Sequence, residues 1–394
     1  MSYEPITTPP QASNLKPRIA FITVGDPNRL TGGYLYHARV FAILRSKGVL
    51  IDQIVACDAP LADQIAAAGH FGAAFDPHAY DAIVIDALGR GVCAPSVDRW
   101  RAVRPVVVLV HQLPSIAEAD ADEIARERAL EQPLLNADRL IAVSAHGRQV
   151  LIDRGVSSDR IVIASPGFDR LAVDDGRWTM DDDRLRHNPQ SPIPNLQSPI
   201  PDPQSPILNP QPRTLRVLCV AQWIPRKGIA TLIEAWTQLQ PNATLDLIGE
   251  TDVDPAYTAQ IRRLIDAAPV GSINVRGVVD DAALQHAYRS ADLFVLPSRF
   301  EGYGMVYAEA LAHGVPIVAC RVGPVPDLIG DAGVLVPPDD ALALATALDQ
   351  IMSDHVVRGQ LATNARHQAA TLPRWIDAAD AVRGAVVAAI GERS

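Results

Sequence analysis

Cysteine is scarce in this sequence: four in 394 residues, none in C-x-x-C spacing. That leaves neither a disulfide framework nor a zinc pattern. Cys57, Cys93, Cys219 and Cys320 sit in or beside apolar runs, so they are expected to be reduced core residues of a cytoplasmic protein. Long apolar runs are missing too. None approaches the roughly 18 residues of a membrane span, and the first fifteen residues lack a signal-peptide core. Basic charge is in deficit. A net charge of −10 argues against nucleic acid as the main partner, while leaving room for local basic sites that take small anions. Arg39, Arg45 and Lys47 do place positive charge along one helix; this allows at most a peripheral membrane association and also reads as a solvated face. No G-x-G-x-x-G fingerprint is present, so a nicotinamide cofactor is not supported.

What is there is globular and long enough for two domains: 48 % apolar and 20 % charged residues. Residues 18–24 read as a strand, 25–33 as a turn-rich loop, and Leu35, Ala38, Phe41 and Ala42 mark one face of a helix ending at Gly48. Further strands are expected at 51–56, 82–85, 106–110, 140–143 and 161–164, with helices between most of them, notably 117–136 and 146–153. The pattern resumes with strands at 215–220, 244–248, 273–275, 293–296 and 316–319, and helices at 229–239, 257–268, 281–289, 306–313 and 341–353. Such alternation implies parallel sheets covered by helices on both faces. Two α/β halves of this kind form a cleft between their strand ends.

Between the halves, residues 171–213 are polar and proline-rich, with a period-seven repeat starting at Gln190, Gln197 and Gln204. Prolines at this density exclude a coiled coil, so the segment reads as an extended, disordered linker with polyproline II character. Its Pro203-Gln204-Ser205-Pro206 fits a loose P-x-x-P docking motif. The expected organisation is a first domain over 16–175, the linker over 176–213, a second domain over 214–372, and a helix over 373–394 packing back on the first domain.

The most informative segment runs from Glu301 to Glu309, Glu-Gly-Tyr-Gly-Met-Val-Tyr-Ala-Glu, between the apolar run 293–296 and a strong helix former. Loops at strand carboxyl ends of open parallel sheets bind ligands, and the free amides of a helix start suit phosphate. Glu309 could accept two hydrogen bonds from a ribose diol, or be an exposed helix glutamate. Glu301 could meet sugar hydroxyls or stabilise positive charge at a reacting carbon. Arg226 and Lys227 follow the first strand of the second half and suit a diphosphate, each charge-assisted hydrogen bond being worth roughly 1.5–3 kcal/mol; they also read as a solvated surface pair. Gly32 and Gly33 follow the first strand of the first half, where amides can approach a phosphate or sugar. His111 lies at the end of the strand 106–110, on the cleft rim, a place where structural histidines are common. Asp252 and Asp254 form a D-x-D pattern that could hold a metal on a diphosphate, in a context that follows a turn and not a strand.

Together these residues resemble the retaining glycosyltransferases of family 4. The resemblance spans most of 17–390 and is most specific from Pro297 through Glu309 to Ala319, the family's E-x7-E region. Arg226-Lys227-Gly228 matches its donor-phosphate motif; 141–144 and 166–169 match segments closing the first domain. It implies an α/β GT-B fold, two Rossmann-like domains facing each other across a cleft. It also implies a metal-independent transfer of a hexose-type sugar from a nucleotide-diphosphate donor to a glycan, lipid or small-molecule hydroxyl, without a cofactor. By the same resemblance Arg226 and Lys227 hold the diphosphate, helped by the backbone from Gly302 and Tyr303 through Gly304, Met305 and Val306. Glu309 binds the ribose, Glu301 the donor sugar, and the main chain near Gly277 and Val278 the base. His111 contacts the sugar near its reacting carbon. Where many relatives carry Gly-Arg, this chain has Ala221-Gln222, one cation fewer. Two rivals stand beside this reading. One is a non-catalytic nucleotide-sugar-binding module docking through the insert; the other is a metal-dependent single-domain transferase using Asp252 and Asp254.

Overall fold

The computed structural model describes residues 16–27, 29, 31–117, 120–168, 214–239 and 242–393. The proline-rich linker with its docking motif, the first fifteen residues and Asp169 of the segment 166–169 lie outside the described residues.

The first sheet contains β1 (Arg18–Val24), β2 (Leu50–Cys57), β3 (Ala82–Asp86), β4 (Val106–Val110), β5 (Arg139–Ala142) and β6 (Ile161–Ile163). The second contains β7 (Leu215–Val220), β8 (Ala243–Ile248), β9 (Ile273–Gly277), β10 (Leu293–Leu296), β11 (Ile317–Cys320) and β12 (Gly333–Val336). Every pairing is parallel, in the orders β2-β1-β3-β4-β5-β6 and β12-β11-β10-β7-β8-β9. Parallel strands are covered on both faces, which is why β4 (Val-Val-Val-Leu-Val) and β10 (Leu-Phe-Val-Leu) are apolar and buried throughout.

The strand orders decide where a ligand can sit. In the second sheet the chain runs outward through β7, β8 and β9, then returns to lay β10 on the other side of β7. This reversal opens a crevice beyond the carboxyl ends of β7 and β10. The loops that leave those two strands carry Arg226-Lys227 and Glu301–Val306. In the first sheet the reversal falls between β1 and β3; β1 leads to Gly32 and Gly33, which open helix Gly32–Ser46 and do not form a loop, and β3 ends at Asp86.

Helix Trp375–Gly391 buries Trp375, Ala378, Ala379, Val382, Ala385, Val386 and Ala389, a helical spacing, in the core with Ile19, Tyr36 and Phe41 of the first domain. The chain reaches it through a backbone hydrogen bond from Phe168 N to Pro373 O at 2.9 Å.

Several elements differ from the sequence reading. In place of one helix over 117–136 there are two, Pro114–Ala117 and Ala121–Leu135. The second starts at Asp120, whose carboxylate accepts from the amides of Asp122 and Glu123 at 3.0 Å, a helix cap that competes with continuing the turn. Strand β12 and helix His355–Ala369 went unread. The strand is four residues at a sheet edge, and the helix buries only Ala365, so neither carries a strong apolar period.

Candidate active site

A cavity of about 630 Å³ lies between the two sheets' carboxyl ends. The first domain lines it with Gly32, Gly33, Tyr36 and His111, the second with Arg226, Lys227 and the run Glu301–Val306. Val278 lines it as well. Glu309 and Gly277 are not among its lining residues.

The second domain supplies charge. Lys227 Nζ donates to Glu301 Oε1 at 2.6 Å, and the Ser298 hydroxyl donates to the same oxygen at 2.7 Å. Glu301 and Ser298 are buried. Burial pushes the Lys227 ammonium below the usual lysine range, more strongly than Glu301 pulls it back. Burial would raise Glu301, but Lys227 and the Ser298 hydroxyl hold its carboxyl below the usual range. The two side chains form a close pair within the second domain. Arg226, next to it, forms no ion pair with a described residue and opens on the cavity. Helix Met305–Ala312 begins at Gly304, whose φ of 94° is the left-handed conformation that favours glycine. Its first intrahelical bond to Gly304 O comes from Tyr307, so the amides of Met305 and Val306 remain available at the cavity wall. Cation, ammonium and two amides thus converge on one volume, the chemistry of a phosphate cradle.

Glu309 lies one turn into that helix, half-buried, and accepts from the Tyr288 hydroxyl at 2.8 Å. Burial raises its carboxyl to about 7, against the lowering effect of that hydrogen bond. Asp254 of the D-x-D pattern accepts from Tyr257 N at 3.0 Å and caps helix Pro255–Asp266. Asp252 lines the cavity without it.

The first domain's face is built differently. His111 Nε2 lies 2.8 Å from His37 Nε2, and His37 Nε2 lies 3.5 Å from Asp86 Oδ2. His37 and Asp86 are buried. Burial lowers His111 to about 4, and His37, with His111 beside it, well below its ordinary value. Both rings are neutral at physiological pH. Burial raises Asp86 to about 6, despite bonds from Leu88 N and the Thr23 hydroxyl.

The two faces meet closely. A Cβ on Gly302 would come within 2.3 Å of His111 O, so only glycine lets the acidic loop pass beneath the histidine. Ser144 Oγ donates to Gly302 O at 3.3 Å, and the Phe168 and Tyr303 rings stack at 5.9 Å. At the rim Arg29 Nη2 donates to both Glu250 oxygens, at 3.1 and 3.0 Å, and Gln222 Nε2 donates to Glu250 Oε2 at 2.8 Å. Sequence reasoning missed Arg29, Glu250, His37 and Asp86. Arg29 and Glu250 are 221 residues apart with no local motif, and a histidine on a helix's apolar side reads as core.

Residues 214–354 match the protein family described as Glycosyl transferases group 1. The chain is 35 % identical over 140 residues to an O-antigen chain mannosyltransferase B from Escherichia coli, covering 33 % of this chain and 35 % of that one. It is 30 % identical over 173 residues to a GDP-mannose-dependent alpha-(1-6)-phosphatidylinositol monomannoside mannosyltransferase from Mycolicibacterium smegmatis, covering 40 % and 44 %. The chain thus spans under half the length of these curated relatives. Over the whole fold, the structure of a sucrose-phosphate synthase from Thermosynechococcus elongatus superposes with a TM-score of 0.71, at 24 % identity, covering 95 % of this chain and 98 % of that one. The architecture is GT-B: two Rossmann-like domains of six parallel strands each, across a cleft. Among the described residues no helix is long and apolar enough to cross a membrane.

Proposed function

We propose that this protein is a retaining, metal-independent glycosyltransferase that moves a hexose-type sugar from a nucleotide-diphosphate donor to a hydroxyl acceptor. The observation that carries this reading is the convergence of Arg226, Lys227 and the amides of Met305 and Val306 at the switch point between β7 and β10. Those groups face where negative charge grows as a nucleoside diphosphate departs, and they need no reorganisation to meet it. The likeness of residues 214–354 to glycosyl transferases, some named as mannosyltransferases, supports the class.

In the reaction, the bond between the anomeric carbon and the diphosphate oxygen breaks. The acceptor hydroxyl forms the new bond on the same face, and its proton goes to the leaving diphosphate oxygen. Glu301 keeps Lys227 in place and faces the sugar, while His111 closes the sugar pocket from the first domain. Glu309 and the backbone around Gly277 and Val278 serve the nucleoside end. Asp254 is engaged as a helix cap, which argues against a metal held by the D-x-D pair.

Incubating the purified protein with UDP-, ADP- and GDP-hexoses in EDTA tests this reading. Release of nucleoside diphosphate that Lys227→Ala abolishes is expected. Full release by Lys227→Ala, or release that strictly requires added metal, would overturn it.

A further inference from the structure

Resting on the reading of His111 as a sugar-facing residue, we propose that His37 and Asp86 are positioning residues that fix His111 with its proton on Nδ1 and its Nε2 lone pair turned inward. Both rings are neutral, so each carries one proton. The two Nε2 atoms are 2.8 Å apart, so one of them donates to the other. Only two arrangements exist.

If His111 Nε2 carried the proton, the His37 proton would sit on Nδ1. That atom is buried and has no partner among the described residues. The His37 Nε2 lone pair would then face the Asp86 carboxylate at 3.5 Å. An orphaned buried N–H is a rare and costly feature, and lone pair against carboxylate is repulsive. If His37 Nε2 carries the proton, it donates to His111 Nε2 and its positive edge faces Asp86. The atom left unpaired is then an acceptor. The second arrangement follows, and Asp86 selects it. Asp86 is itself held by Leu88 N at 2.9 Å and the Thr23 hydroxyl at 3.4 Å. Packing fixes the His37 ring, stacked on Phe41 at 5.7 Å with Phe21 against its edge.

The same three side chains have ligand atoms within 4.8 Å of one another, as a metal site would require. Two nitrogens on one tetrahedral zinc, at bonds of about 2.0–2.1 Å, stand roughly 3.3 Å apart. The 2.8 Å separation is that of a hydrogen bond.

Nitrogen-15 NMR of histidine-labelled full-length protein near pH 7.5 reads the tautomer directly, with His111 assigned by loss of its signals in His111→Gln. Wild type is expected to show His111 protonated at Nδ1. In His37→Leu the ring should revert to mainly Nε2–H, with kcat lower by about tenfold or more and donor KM little changed. His37→Gln, whose amide can donate to Nε2, should restore the Nδ1–H form and most of the rate. An Nε2–H His111 in wild type, or an unchanged tautomer in His37→Leu, would overturn the proposal. So would one equivalent of zinc in wild type that His37→Leu loses. If His37→Leu does not fold, the wild-type tautomer decides alone. If wild type transfers no sugar, the function reading fails, and the NMR result still decides the tautomer.

Discussion

The two faces of the cleft do opposite things with buried polar groups. The second domain buries an ion pair, Lys227 with Glu301, and sets it beside an arginine and a helix start. The first domain sets two neutral imidazoles, His37 buried and His111 at the cavity, over one buried carboxylate. One face is built to meet fixed negative charge; the other is built to present oriented, uncharged hydrogen-bonding groups. On the proposed function, the contrast suits a donor whose diphosphate and sugar need different company.

The largest expected effect comes from breaking the charged face. Lys227→Ala removes a diphosphate contact and strands Glu301, so transfer should fall by at least about 10²-fold. Stability should fall by about 3–5 kcal/mol, as for other buried pairs that lose one partner. The double variant Lys227→Ala/Glu301→Gln separates the two losses. Denaturant unfolding should show recovered stability, while transfer stays lost. Recovery of both would mean that Lys227 serves only the fold.

Next comes the seam between the faces. Gly302→Ala places a methyl within 2.3 Å of His111 O and must push the domains apart. About 10²-fold loss of transfer is expected, with each domain still folded, since small misplacements cost this much. Small-angle scattering should report a more open molecule. An unaltered rate would show that the close approach is not part of the working geometry.

A smaller effect belongs to Glu309. Its carboxyl is raised from the ordinary 4.5 to about 7, so the folded form keeps a proton that the unfolded chain has released. Stability of the ligand-free protein should therefore fall as pH rises from about 4.5 to about 7. Glu309→Gln should lack that part of the slope, read as the difference in denaturant midpoints between pH 5 and pH 8. Equal slopes in the two proteins would contradict the assignment.

The smallest effect is expected at Asp254→Asn. Asparagine caps a helix about as well as aspartate, so transfer should stay within about twofold of wild type. A collapse in rate would return a metal to the charged face.

The same contrast explains what the sequence disclosed. The charged face is local: Arg226-Lys227 and Glu301–Val306 are each one short run after one strand, and their residue types suit phosphate. The strands carrying them were legible because β10 and most of β7 are apolar and buried, whereas edge strand β12 is four residues and mostly half-buried. The neutral face is not local. His37, Asp86 and His111 leave a helix and two strands, and only the strand order brings them together. The pairing of Lys227 with Glu301 spans 74 residues, so no spacing announces it. The D-x-D pattern reads two ways, because capping a helix uses the same aspartate that binding a metal would.

On the proposed function, the charged face grips the diphosphate of a sugar donor without a metal. Calorimetric titration of wild type and Lys227→Ala/Glu301→Gln with the nucleoside diphosphates UDP, ADP and GDP in EDTA tests it most directly. The account predicts that at least one binds wild type, and that the double variant weakens it by about tenfold or more, the loss of one charge-assisted hydrogen bond. Equal affinity in both proteins, or binding by wild type only after metal is restored, would contradict it.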